Sequence, residues 1–260
     1  MKCYNLTDLR ITLDDLGLYP GIERGAVRIA SLGVPVYCSW LSNYLIPGTE
    51  FLNSHLCMSG LHFNVLEGRS SLGPGILTDK KGFFNRSWQS FLFPGKKTKK
   101  AVERELEHQV EKVLSWFGKL THIDSHLHLH SIPWIYRLLQ KHRRKYRIEY
   151  IRNPHQKITD DPGIFLDPAA LPKILILRVF ALINRPKGYP CFGVNYVFKM
   201  DHKKIIKLTR NKKREVIWHP ALNEEKLDFT EFRYIKPDNP EKRSRELEEL
   251  RKFILNYPSR

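Results

Sequence analysis

The sequence predicts an α/β protein built on a parallel sheet. Short β-patterned runs alternate with segments of helical period. The 260 residues, 42% hydrophobic and 27% charged, are enough to bury a sizeable core, which excludes a disordered polymer. Carboxylates and histidines gather where the β-patterned runs end, the place where parallel α/β sheets and barrels build their sites.

Taken in order, Leu9-Arg10-Ile11-Thr12-Leu13 alternates apolar and polar residues and runs into Asp14-Asp15-Leu16-Gly17. Ile22 to Ser31, closed by Gly33, reads as a helix, and Val34-Pro35-Val36-Tyr37-Cys38 as the next strand. Gly60-Leu61-His62-Phe63-Asn64-Val65 is a further strand, followed by a Gly- and Ser-rich loop from Gly68 to Gly75. Residues 99–117 form the clearest helix: Val102, Leu106, Val110, Val113, Leu114 and Phe117 recur at three- and four-residue steps, Glu103, Glu107 and Glu111 mark the polar side, and Gly118 stops it. A histidine-rich strand comes next, then a helix from Pro133 to Lys145, then strands at Arg147 to Ile151 and Glu215 to Trp218. A last helix starts at Asn239-Pro240, with Asn as the cap and Pro in the first turn, and buries Leu247, Leu250 and Ile254. No internal repeat or low-complexity tract interrupts the series.

Thr121-His122-Ile123-Asp124-Ser125-His126-Leu127-His128-Leu129-His130 is the strongest chemical signal. If the strand persists, its period of two puts Asp124, His126, His128 and His130 on one side. Neutral imidazoles ligate divalent metals, and a neighbouring carboxylate can orient them. A His-rich surface strand or a set of hydrogen-bonded core histidines is the plain alternative, although three alternating histidines beside an Asp weigh toward metal or catalysis. Asp14-Asp15 alone reads as a turn or cap. On a strand-to-helix turn, however, adjacent carboxylates face different ways, so that one could hold a metal while the other removes a proton from metal-bound water. His62 and His219-Pro220 are each ambiguous alone, and gain weight from standing at strand ends.

In this order, Asp14-Asp15-Leu16-Gly17, Gly60 to Asn64 with Glu67-Gly68, the Thr121 to His130 block with Pro133, and His219-Pro220 resemble the YdjC-like carbohydrate deacetylases. The resemblance implies a (β/α) barrel-like single domain with mostly parallel strands over residues 1–260, and one divalent metal ion, magnesium or zinc. By motif, Asp15, His62 and His126 would be the metal ligands, Asp14 the general base, and His219 the general acid for the leaving amine. Asp124, His128, His130 and Arg152 would orient ligands or face substrate. The implied reaction is hydrolysis of an N-acetyl group on an amino sugar or oligosaccharide by metal-activated water. A homodimer is implied as well. Ala221 stands where the family commonly has Gly after His-Pro, and His155 stands where an acid is frequent.

Charge raises other partners. The chain carries +17, and residues 137–214 hold 20 Lys+Arg against 5 Asp+Glu, so nearly all the excess lies in one segment. It offers a phosphoesterase reading with an anionic substrate, and a nucleic-acid-binding reading in which Tyr136, Tyr146 and Tyr150 stack on bases. No nucleic-acid motif frames the segment, and a solvated basic face serves equally. Leu171 to Ile183 is apolar round most of a helix: a buried core or dimer-interface helix, or a helix resting on anionic lipid near a lipid-linked substrate. The N-terminal residues lack the apolar run of a signal peptide. Cys3, Cys38, Cys57 and Cys191 form no Cys-x-x-Cys, so a reduced cytosol is expected, with peripheral contact at the inner membrane face as the variant.

Overall fold

In the computed structural model of the protein, residues 8–44, 46–52, 55–155, 170–193, 201–223 and 240–258 are described. Seven strands among them lie in one sheet: β1 (Leu9–Leu16), β2 (Val36–Trp40), β3 (Cys57–Phe63), β4 (His122–Ser125), β5 (Tyr150–Ile151), β6 (Cys191–Phe192) and β7 (Arg214–Trp218). Their order is β5-β4-β3-β2-β1-β7-β6, and every pairing is parallel. The two ends of that order meet through one parallel bridge, Asn153 with Pro190, where the Cys191 N–H donates to the Asn153 carbonyl at 3.1 Å. The sheet therefore curls into a barrel with one thin seam. The helices are α1 (Pro20–Ala30), α2 (Thr49–Leu52), α3 (Lys96–Phe117), α4 (Pro133–Lys145), α5 (Ala170–Asn184), α6 (His202–Thr209) and α7 (Pro240–Asn256).

Alternation along the strands sorts side chains between two environments. Ile11, Leu13, Val36, Cys38, Leu61, Ile123, Val216 and Trp218 are buried in one hydrophobic cluster with Ile22, Val102, Leu106, Ile135 and Phe253 of the surrounding helices. The intervening residues turn inward and are polar. Arg10 lies over the rings of Tyr37, Tyr150 and Tyr189 at 5.7, 4.0 and 4.4 Å. Above it come Thr12, Ser39, His122 and Glu215, then Asp14, His62, Asp124 and Arg152, all buried. Gly60 is required by this filling, because a Cβ there would stand 2.4 Å from the His122 ring.

Several elements shift from the expected boundaries for local reasons. β1 continues through Asp14 and Asp15 to Leu16, with a register slip between Leu13 and Leu16, so the acidic pair is part of the strand end and not a turn after it. β4 stops at Ser125, and His126–Ser131 winds into 3₁₀ turns with Leu127 and His128 at φ of 50° and 56°. The expected persistence of a strand through His130 is therefore not met, and His126, His128 and His130 do not share one strand face. Arg147 takes φ 55° after α4, leaving only Tyr150 and Ile151 to pair as β5. The cap expected at Asn239 lies outside the described residues. α5 meets half of its expectation: Ile174 and Leu177 are buried, whereas Leu175, Ile176, Val179, Leu182 and Ile183 are exposed, so it is not a core helix.

The basic run of α4 is partly matched within the fold. Lys141 pairs with Glu103 at 2.6 Å, Lys145 pairs with Glu107, and the Tyr146 hydroxyl donates to Glu111 at 2.8 Å, all across to the acidic side of α3. Tyr136 is buried, and Tyr150 stacks on His122 inside the barrel at 5.4 Å, so neither offers an open face to a base.

Candidate functional site

Three side chains converge at the carboxyl ends of β1, β3 and β4. Asp15 Oδ1 lies 3.5 Å from His62 Nε2 and 3.6 Å from His126 Nδ1. Backbone conformation makes this possible: Asp15 adopts φ 63°, which turns its carboxylate away from that of Asp14, so two consecutive acids serve different partners. A non-glycine residue held there costs on the order of 1–2 kcal/mol, which the surroundings must offset. His62 is the last inward residue of β3, and His126 opens the turn after β4.

Both imidazoles are fixed from behind by carboxylates. His62 Nδ1 is 2.5 Å from Asp124 Oδ1, and His126 Nε2 is 2.9 Å from Glu67 Oε2. A proton on those sides points His62 Nε2 toward Asp15 as a lone pair, and His126 Nδ1 would offer one too on giving up its proton to a bound cation. This is the carboxylate–imidazole arrangement that supports metal ligands. Asp15 Oδ1 is buried and accepts no hydrogen bond among the described residues, while Asp15 Oδ2 takes one from Arg243 at 2.8 Å. Donors about 2.1 Å from a common centre at tetrahedral angles stand about 3.4 Å apart, close to the separations from Asp15. The donor chemistry, the orphaned oxygen and the spacing together fit a divalent cation. Burial raises the Asp15 carboxyl, but His126, Arg243 and His219 outweigh it and hold the group well below the usual carboxylate range. Burial lowers His126, and Asp15 and Glu67 more than reverse that, pushing it up to about 10.

Beside this triad, Arg152 is wholly buried and gathers three acids. It donates to Asp14 through both terminal nitrogens at 2.7 and 2.6 Å, to Glu215 through Nε at 2.8 Å, and pairs with Asp124. The Ser39 hydroxyl donates to Asp124 Oδ2 at 2.7 Å, and the Thr12 hydroxyl to Glu215 at 3.0 Å. Burial raises the Glu215 carboxyl against the pull of Arg152. Asp14, His62 and Asp124 also lie close enough to surround an ion, but the carboxylates of that group already serve Arg152. A third grouping, Asp201, His202 and Glu249, is explained by its own fold contacts: Asp201 caps α6, and Glu249 pairs with Lys252 at 2.9 Å.

His219 stands beyond β7, its backbone N–H donating to Glu246 of α7 at 2.7 Å. Burial lowers the ring, but Glu246, Asp15 and Asp14 raise it above its ordinary value, which favours the protonated form near neutrality. His130 Nδ1 is 2.7 Å from the Ser125 hydroxyl, and burial takes the ring down to about 3. His128 is depressed by burial and then by the nearby Lys173 of α5. Neither joins Asp15, His62 and His126. The structure thus brings together Asp14, Asp15, His62, Asp124, His126 and Arg152, with His219 at the edge.

Sequence reasoning missed Glu215, Arg243, Glu246 and the contact from Glu67. Glu215 had a usable signal, since a charge directly before the apolar run Val216-Ile217-Trp218 of a buried parallel strand must find a partner in the barrel. Arg243 and Glu246 had none, being ordinary charges on an amphipathic helix.

The sequence model of YdjC-like proteins matches residues 8–253. Similar curated proteins include a carbohydrate deacetylase of Mus musculus, 28% identical over 159 residues (57% of this chain, 51% of that protein). A chitooligosaccharide deacetylase of Yersinia pestis bv. Antiqua is 28% identical over 163 residues (61% and 64%). The chain spans about half the length of the curated mammalian relatives it matches. Among solved structures, a candidate cellobiose-phosphate cleavage protein from Enterococcus faecalis V583 superposes with a TM-score of 0.62 at 17% identity, covering 93% of this chain and 89% of that one, which shows a shared fold.

Proposed function

This chain belongs to the YdjC-like protein family, and from that premise we propose that it is a metal-dependent carbohydrate N-deacetylase acting on an acetylated amino sugar or oligosaccharide. The observation that carries the reading is the convergence of Asp15, His62 and His126, with Asp124 and Glu67 behind the two rings. Relatives named carbohydrate and chitooligosaccharide deacetylase supply the substrate class.

Asp15, His62 and His126 would hold one divalent cation, zinc or magnesium. When bound, it supplies Lewis-acid polarisation of the acetyl carbonyl and acidification of water. Asp14 accepts the proton of the attacking water. Arg152 keeps that carboxylate oriented by gripping both of its oxygens, and balances its buried charge. His219, kept protonated by Glu246 and the two aspartates, donates a proton to the departing amine. One metal is favoured over the two or three of many phosphoesterases, because Arg152 occupies the carboxylates that a second ion would need.

Acetate release from N-acetylated chitooligosaccharides, measured together with bound metal, tests this. His62→Ala and His126→Ala should lose both metal and turnover, and chelation of the parent should be reversed by zinc or magnesium. Unchanged turnover with metal retained in both variants refutes the proposal.

A further inference from the structure

We propose that α5 and the α5-facing side of α4 form a docking surface for an anionic lipid bilayer. On α5, Ile174 and Leu177 face the protein, and Phe180 stacks on Trp88 at 6.4 Å between ring centroids. The opposite stripe, Leu175, Ile176, Val179, Leu182 and Ile183, lies in solvent, with Leu182 at 77% exposure. Exposed single apolar residues are ordinary, but five on one helical stripe make a continuous patch. No helix among the described residues is long and apolar enough to cross a membrane, so this stripe suits a surface position.

Charge identifies the occupant. Arg178 lies on α5, and Arg185 and Lys187 follow it. Arg137 and Arg144 of α4 line a cleft of about 430 Å³ that also touches Tyr136, Gln140, Ile183 and Asn184. None of these five cations makes an ion pair among the described residues, whereas Lys141 and Lys145, on the adjoining flank of α4 nearest α3, pair with Glu103 and Glu107. A cleft with two free guanidinium groups, opening beside an apolar stripe, matches a phosphate headgroup with its acyl chain alongside. A second copy of this chain would bring the same cations against themselves.

Docking there would set the site at the bilayer. α5 runs along the turn that carries His126: Asn184 donates to the Ser131 carbonyl at 2.6 Å, and Lys173 lies near enough to His128 to depress it. Access to an amino sugar carried on a lipid rests on the hydrolytic reading above; the docking itself does not.

Cosedimentation of the full chain with vesicles tests the docking without any assay of turnover. The chain should pellet with phosphatidylcholine–phosphatidylglycerol vesicles at low salt, and remain in solution with phosphatidylcholine alone or at high salt. Arg137→Ala with Arg144→Ala should weaken binding by about fivefold per charge removed. Leu182→Glu should weaken it at least as much, while Lys141→Ala with Lys145→Ala changes little. Thermal melts of the same variants should match the parent. Four results overturn the proposal: no pelleting with anionic vesicles; equal loss in the two α4 double variants; binding of inorganic phosphate to the Arg137–Arg144 cleft without vesicle binding; or a dimer in sedimentation velocity that Leu182→Glu dissociates.

Discussion

Replacing Arg152 by Met keeps most of its volume and removes the charge that three acids share. In the folded protein the guanidinium is wholly buried and contacts Asp14, Asp124 and Glu215. Breaking a buried ion pair from one side costs about 3–5 kcal/mol, and here three carboxylates lose their partner, so the upper end applies. Against a total stability of roughly 5–15 kcal/mol, this is a large fraction. For a chain of this size it corresponds to a fall of about 10–20 °C in Tm. The charge can also be relieved by protonation, and Glu215 is the group to take the proton, since burial already raises its carboxyl. A carboxyl whose folded pKa lies above its unfolded value gains stability as pH falls through the folded pKa. Arg152→Met should therefore recover part of its loss between neutral and mildly acidic pH, and adding Glu215→Gln should recover part of it at pH 7. Urea unfolding of the parent, both single variants and the double variant at two pH values reads all of this as a coupling energy. Stability of Arg152→Met within about 1 kcal/mol of the parent at pH 7 would refute the hub, as would a loss independent of both pH and Glu215.

Three further outcomes follow from the barrel interior. Gly60→Ala puts a methyl 2.4 Å from the His122 ring and should cost about 1–3 kcal/mol by thermal melt, reduced when His122 is shortened to Ala. Burial takes His122 down to about 4, so the unfolded chain binds the extra proton between about 6.5 and 4. Stability should therefore fall as pH drops through that window, by up to a few kcal/mol, and His122→Gln should flatten the acid limb. Glu67→Gln leaves the His126 hydrogen bond possible but removes its charge, and should weaken metal binding by about 10–100-fold in calorimetry; because Glu67 also helps hold His126 protonated in the metal-free protein, the melting temperature of that form should fall as well.

Legibility of the fold tracked the strength of local patterns. The helices over residues 96–117 and 133–145 have clear apolar stripes, and α4 keeps its expected bounds from Pro133 to Lys145. β6 has two paired residues and no pattern of its own, and its place is set by the seam with Asn153. In the site, His126 stood out as part of a histidine run beside an Asp, whereas His62 alone read as an ordinary core histidine and gained weight only from its place at a strand end. Period-two reasoning failed one residue later, since Leu127 and His128 enter the left-handed region, which no composition signal marks at a leucine. Arg152 was read as a residue that orients ligands or faces substrate, but its contacts with Asp14, Asp124 and Glu215 come from β1, β4 and β7, which only the closed barrel brings together. The two faces of α5 were indistinguishable because its sequence is apolar all round, and packing against the turn after β4 alone decides which face is buried.

The most direct measurement is anomalous diffraction from crystals grown with zinc or manganese, collected on both sides of the metal edge. The account predicts one peak in the barrel mouth, within about 2.0–2.2 Å of Asp15 Oδ1, His62 Nε2 and His126 Nδ1, and its loss in His126→Ala. A peak held by other residues, or a fully loaded crystal with no density between these three atoms, would contradict it.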